Sequence, residues 1–110
     1  MMIIYFKGYS MEYRTHIEEG SNIRFMLSGR MIYTDYKSVK DIIYYVMHNN
    51  TKSLILDMSS LEFIDSAAVG MLIIILEELR KVDASMRIVN SHGQLLRVLA
   101  NSKFFFFDLL

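Results

Sequence analysis

The sequence predicts a small α/β domain with a mixed sheet, and three observations carry that expectation. Short apolar runs with strand-like spacing are interleaved with stretches of helical periodicity. The second half alternates strand with helix, which implies right-handed crossovers between parallel neighbours. The first half contains a hairpin-like pair of alternating segments, which adds antiparallel pairing. With 110 residues, 53% of them hydrophobic, and no proline or Gly/Ser-rich linker, the chain reads as one domain with a real core.

Residues 1–9 are mostly apolar but short. They lack a basic lead and a small-residue cleavage site, so they read as an N-terminal strand or arm rather than a signal peptide. The domain proper is assigned to residues 10–110. Met11, Tyr13, Thr15 and Ile17 alternate with Glu12, Arg14, His16 and Glu18, as in a strand. Glu19-Gly20-Ser21-Asn22 reads as a turn. Ile23, Phe25 and Leu27 then resume the alternation until Gly29 ends the strand. Thr34 stands where an N-cap belongs, and Tyr36, Val39, Ile43, Val46 and Met47 recur behind it at helical spacing. His48-Asn49-Asn50 closes that helix. Ser53 to Met58 is a nearly continuous apolar run that suits a buried strand, with Asp57 at its end. A second helix is predicted from Ser66 to Val82, a strand over Met86 to Val89, and a third helix from Gly93 to Asn101. Leu95, Leu96, Val98 and Leu99 form that last helix's expected core face. Phe104 to Phe107 read as a short strand or as a tail packed on the core.

Composition narrows the function. Twelve basic residues balance twelve acidic ones, whereas a nucleic-acid binder normally carries a basic excess. No cysteine is present, which removes disulfide frameworks and thiolate metal sites. The longest apolar run, Ala67 to Leu76, is about half of the ~20 residues a membrane-spanning helix requires, and Glu77-Glu78 ends it. Neither direct nucleic-acid binding nor membrane insertion is expected.

The chemistry concentrates at Phe63-Ile64-Asp65-Ser66-Ala67-Ala68-Val69-Gly70. An acid and a hydroxyl stand between two apolar stretches, at the mouth of the second helix. A helix start leaves backbone N–H groups unpaired, and Asp or Ser satisfies them, so one of the two residues serves as a cap. The same geometry exposes a serine hydroxyl beside free N–H donors and the positive end of the helix dipole. A phosphate there would add about −1.5 to −2 charges to any partner contact. On a helical wheel Val69, Leu72, Ile73, Leu76 and Leu79 fall on the core face. Ala67, Gly70, Met71 and Ile74 fall outward, as a candidate docking strip.

Enzymatic readings find less support. The Gly-x-Ser-x-Gly elbow of serine hydrolases is absent around Ser66. His16, His48 and His92 lie on separate elements at no diagnostic spacing. No zinc, P-loop or dinucleotide motif occurs, so neither metal nor cofactor is expected. Asp57 and Asp65 flank the strand-to-helix connection, where they could bind a cation, but an Asp ending a strand more often caps the turn beyond it.

The segment from Ser53 to Gly70, Ser53-Leu54-Ile55-Leu56-Asp57-Met58 followed by Ser59-Ser60-Leu61-Glu62-Phe63-Ile64-Asp65-Ser66-Ala67-Ala68-Val69-Gly70, resembles the signature of STAS domains, the anti-sigma-factor antagonist family. The resemblance implies a single domain with a mixed four- to five-stranded sheet and about three helices packed mainly on one face. It implies a cytoplasmic, non-enzymatic partner switch. Ser66 would be phosphorylated by a kinase-type anti-sigma factor and restored by a serine phosphatase. Asp65 and Asp57 would support it, and Ala67, Gly70, Met71 and Ile74 would touch the partner. STAS-like domains also serve as interaction subunits of transport and sensory complexes, in which Ser66 would be only a cap. This chain departs from the family pattern at Ala67-Ala68, at Ile32 where the family often has Asp (Asp35 follows three residues later), and at Val82-Asp83-Ala84-Ser85 in place of a Gly-rich turn.

Overall fold

The structure, a computed structural model, describes residues 3–7, 11–17 and 21–101. Phe104 to Phe107, and half of the turn expected at Glu19-Gly20-Ser21-Asn22, lie outside the described residues. One five-stranded sheet runs β1 (Ile3–Lys7), β2 (Met11–Ile17), β3 (Asn22–Met31), β4 (Ser53–Ile64) and β5 (Ser85–Val89), in that spatial order. The β1–β2 and β2–β3 pairs are antiparallel, while β3–β4 and β4–β5 are parallel. Three helices complete the described fold: α1 (Tyr36–His48), α2 (Ser66–Arg80) and α3 (Gly93–Asn101).

The topology explains where the helices lie. The crossovers β3–α1–β4 and β4–α2–β5 step in the same direction along the sheet. Right-handed connections therefore put both helices on one face. Burial agrees: Ile23, Phe25 and Leu27 on β3, Leu54, Leu56 and Met58 on β4, and Met86 and Ile88 on β5 are buried. They share one core with Val39, Ile42 and Val46 of α1 and Leu95 and Leu99 of α3. Their strand neighbours face the other side and are only half-buried or exposed.

Several elements differ from expectation, each for a physical reason. The apolar run ends at Met58, but β4 continues to Ile64. Two register shifts against β3 absorb the extra residues. Met26 faces Asp57 but Ser28 faces Ser60, and Gly29 faces Leu61 but Arg30 faces Phe63. Ser59, Ser60 and Glu62 are thereby turned outward, while Leu61 and Ile64 stay buried. Gly29 does not end β3. It sits inside the strand at the second shift with φ 83°, a conformation that favours glycine, and the strand continues to Met31.

Thr34 is not the N-cap of α1. A 3-10 turn over Tyr33–Asp35 precedes the helix, and Asp35 occupies the cap position. The Asp35 carboxylate is fully buried and turned elsewhere: its oxygens accept from Met11 N at 3.1 Å and from Ile32 N at 2.9 Å. It ties the turn to the start of β2. Within α1 the core face is Val39, Ile42 and Val46, so Tyr36 points outward at 52% exposure. In α3, Leu95 and Leu99 are buried, but Leu96 is 41% exposed. The second helix ends at Arg80, not Val82. Asp83 then takes the left-handed conformation at φ 55°, and Ala84 N–H returns to Leu79 O at 2.9 Å.

At the end of β4, a side chain takes over the pairing that no strand supplies. The Gln94 amide donates to Ile64 O at 2.8 Å and accepts from Ile64 N at 3.1 Å, which pins the start of α3 beside the start of α2. Gln94→Leu leaves both Ile64 groups without that partner and should cost about 1–3 kcal/mol. Urea unfolding of the variant against the wild type measures it.

Candidate functional site

Asp65 is the N-cap of α2, with extended backbone at φ −102° and ψ −179°. Its carboxylate divides its two oxygens. Oδ1 accepts from Ala68 N at 2.8 Å, and Oδ2 accepts from Tyr33 N at 3.0 Å. Its own N–H donates to Met31 O at 3.3 Å. One residue therefore joins the end of β3, the 3-10 turn and the first turn of α2. The capping role falls to Asp65, and Ser66 becomes the first helical residue, exposed to solvent beside Ala67.

The outward strip of α2 is narrower than the wheel suggests. Ala67 is exposed, Gly70 is half-buried with open space where a Cβ would stand, and Ile74 is 39% exposed. Met71 does not join them. It is 5% exposed and lies on the buried face with Ala68, Leu72, Ile75 and Leu79. The cause is a shift in helix phase: α2 dips toward the core along Ala68, Met71 and Ile75, leaving Val69, Ile73 and Leu76 only partly buried against it. Tyr33, at 68% exposure, stands on the turn that Asp65 holds.

Asp57 lies elsewhere. It is in the middle of β4 rather than at its end, and eight strand residues at ~3.3 Å each place it more than ~20 Å from Asp65. Its Oδ1 accepts from Ser59 N at 3.0 Å and Asn90 Nδ2 at 3.1 Å, and its Oδ2 pairs with Arg24 at 3.0 Å. Burial pushes this carboxyl up, but the hydrogen bonds from Asn90, Ser59 and Arg24 outweigh it and hold the group below its ordinary value. Asp57 thus clamps the first bulge of β4 to β3 and to the end of β5. No group of three or more His, Asp or Glu residues that could hold a metal ion occurs among the described residues. Two carboxylates as far apart as Asp57 and Asp65 share no cation.

The histidines are spread out. His16 is on β2. His48 ends α1, stacked on Tyr44 with centroids 3.9 Å apart and its Nδ1 2.8 Å from Tyr44 O. His92 is exposed ahead of α3. A cleft of about 320 Å³ opens between α1 and the sheet, lined by Tyr13, Phe25, Asp41, Tyr44 and Tyr45. The pKa of the Tyr13 hydroxyl there is pushed up to about 12 by burial and by the Asp41 charge. No helix among the described residues is long and apolar enough to cross a membrane. Tyr33 and Gln94 join the site without a sequence signal of their own. The first contributes a backbone N–H, which any residue could supply, and the second is a single amide near a helix start.

Known proteins share this fold. The STAS domain family model matches residues 13–109. No curated protein sequence matches the chain. Among solved structures, the phosphorylated form of the Bacillus cell fate determinant SpoIIAA superposes with a TM-score of 0.70 at 16% identity, over 88% of this chain and 86% of that one. An anti-sigma factor antagonist from Mycobacterium paratuberculosis gives 0.66 at 19% identity, over 82% and 74%. The murine anion transporter Slc26a9 gives 0.70 at 18% identity, over 81% of this chain but only 15% of the transporter.

The capping geometry sets how the two neighbours should respond to truncation. Asp65→Ala should cost about 1–2 kcal/mol in urea unfolding, while Ser66→Ala should stay within about 0.5 kcal/mol of the wild type. Asp57 should respond to pH instead. Because its folded value is depressed, its contribution is fully present above the ordinary carboxylate range and is lost as pH falls through the lower folded value. The stability gap between wild type and Asp57→Asn should therefore narrow on acidification, as unfolding curves at successive pH values will show.

Proposed function

The chain belongs to the STAS domain family, and we propose that it is an anti-sigma-factor antagonist that binds a kinase-type anti-sigma factor and is switched by reversible phosphorylation of Ser66. The observation that carries this reading is the division of labour at the helix mouth. Asp65 supplies the cap, so the Ser66 hydroxyl is left exposed at the first position of α2. A hydroxyl that holds no structural post is available for modification.

Phosphorylation would place about −1.5 to −2 charges next to the Asp65 carboxylate. The helix dipole favours an anion there, so the fold itself would tolerate the change. A partner seated on Ala67, Gly70 and Ile74 would have to desolvate that charge, and binding would weaken. Gly70 lets the partner approach the helix closely, and Ile74 offers an apolar contact one turn further on. Met71 contributes from beneath, by packing. In this reading the protein is a kinase's substrate and a binding partner rather than a catalyst, it works in the cytoplasm, and a serine phosphatase restores its binding form. Likeness in fold to SpoIIAA and to other anti-sigma factor antagonists, over most of both chains, supports it. The alternative, a constitutive subunit of a transport or sensory complex, has behind it a fold shared with a small part of a transporter.

The test is titration calorimetry with a cognate kinase-type anti-sigma factor. Ser66→Asp should weaken binding on the order of 100-fold, and Ser66→Ala should bind like the wild type. Equal affinity of all three proteins would sink the switch.

A further inference from the structure

The cleft between α1 and the sheet takes no part in the switch proposed at the mouth of α2. Among the described residues it is lined by four aromatic rings and one acid, Tyr13, Phe25, Tyr44, Tyr45 and Asp41, around about 320 Å³. Small-molecule sites span roughly 300–1,000 Å³, so the space suits a small ligand. Tyr13 and Phe25 form the floor. In the β2–β3 register Tyr13 faces Leu27 and Thr15 faces Phe25, which makes the two rings diagonal neighbours on the helix-covered side. Their centroids lie 5.7 Å apart at an angle of 50°, and Phe25 meets Tyr45 at 6.0 Å and 57°. Tilted rings do not cover one another's faces as a parallel stack does. The rim comes from α1. Asp41, Tyr44 and Tyr45 are three and four residues apart, so they share one side of the helix. Asp41 and Tyr44 are exposed, and Tyr45 is half-buried against the core. His48 stacks on one face of Tyr44, which leaves only the other face to meet a ligand.

Asp41 carries the only charge among these lining residues. The Tyr13 hydroxyl stays neutral, since burial and the Asp41 charge push its pKa up to about 12. Lys37 and Lys40 flank Asp41 on α1, both exposed and hydrated. The Lys40 ammonium lies over the Tyr36 ring, 5.7 Å from its centroid. Neither lysine forms an ion pair with Asp41 among the described residues. Aromatic faces attract cations, and a carboxylate beside them supplies the counter-charge. The kind of cation follows from the donors it brings. A primary ammonium carries three N–H groups that need acceptors once water is displaced, and this lining is mostly ring carbon. A quaternary ammonium carries none. We propose that the cleft binds a small quaternary-ammonium molecule, with Asp41 as its counter-ion and Tyr13, Phe25, Tyr44 and Tyr45 as its aromatic cage.

The test titrates choline into the protein and follows amide shifts by NMR. Choline should saturate a site with Kd on the order of 1 mM, and the shifts should map to β2, β3 and α1. Its neutral carbon isostere, with a tert-butyl group in place of the trimethylammonium, should bind about fivefold more weakly or worse. Asp41→Asn should lose about fivefold. Tyr44→Leu, which keeps apolar bulk but removes the ring, should lose about as much. Both side chains are exposed, and circular dichroism checks that the variants fold. The comparison with the isostere uses the wild type alone, so it decides the matter even if a substitution unfolds the domain. Ser66→Asp should bind choline unchanged, which separates this site from the proposed switch. No saturable choline binding, equal binding of the isostere, equal affinity of both folded variants, or shifts centred on α2 would overturn the proposal.

Discussion

The arrangement depends first on the carboxylate of Asp65. Its two oxygens take N–H groups from different elements, Ala68 on α2 and Tyr33 on the turn after β3. A single acceptor pair thereby fixes the start of a helix relative to the end of a neighbouring strand. Asp35 repeats the device in a fully buried position, joining Met11 and Ile32. Gln94 does so from the other side, against both backbone groups of Ile64. Strand ends and helix starts leave backbone groups that need partners, and side chains from distant parts of the sequence provide them here. Ser66 sits among these clamps, with its own hydroxyl left to solvent.

Much of the fold was legible because periodicity follows directly from burial. The boundaries of α3 and the starts of α2 and β2 can be read from apolar spacing and polar punctuation alone. The second half of β4 cannot. Two bulges break the period of two just where Ser59-Ser60 and Glu62 look like loop residues, and only pairing with β3 reveals the strand. Helix phase in α2 is equally hidden, because nearly every residue from Ala67 to Leu76 is apolar. With so little polar contrast a wheel cannot locate the core side, and it turns Met71 outward although the residue lies within.

The site was legible in part. A polar pair at a helix mouth announces a cap, but sequence does not say which residue caps. The geometry separates them: Asp65 accepts from Ala68 N, and Ser66 stands one residue further on, exposed. Asp57, close to Asp65 in sequence, proves distant in space because an extended strand carries the chain away. Its partners, Arg24 and Asn90, come from elements that no local pattern connects to it.

Separating the structural acid from the exposed hydroxyl is what makes a reversible switch physically simple. Under the proposed switch, a charge added to Ser66 would change the surface a partner meets, and the clamps do not use its hydroxyl. The most direct measurement is phosphopeptide mass spectrometry of the protein isolated from its native cell under contrasting growth conditions. The switch requires a phosphate on the peptide containing Ser66, with an occupancy that changes between conditions. No phosphate on Ser66 under any condition would contradict it.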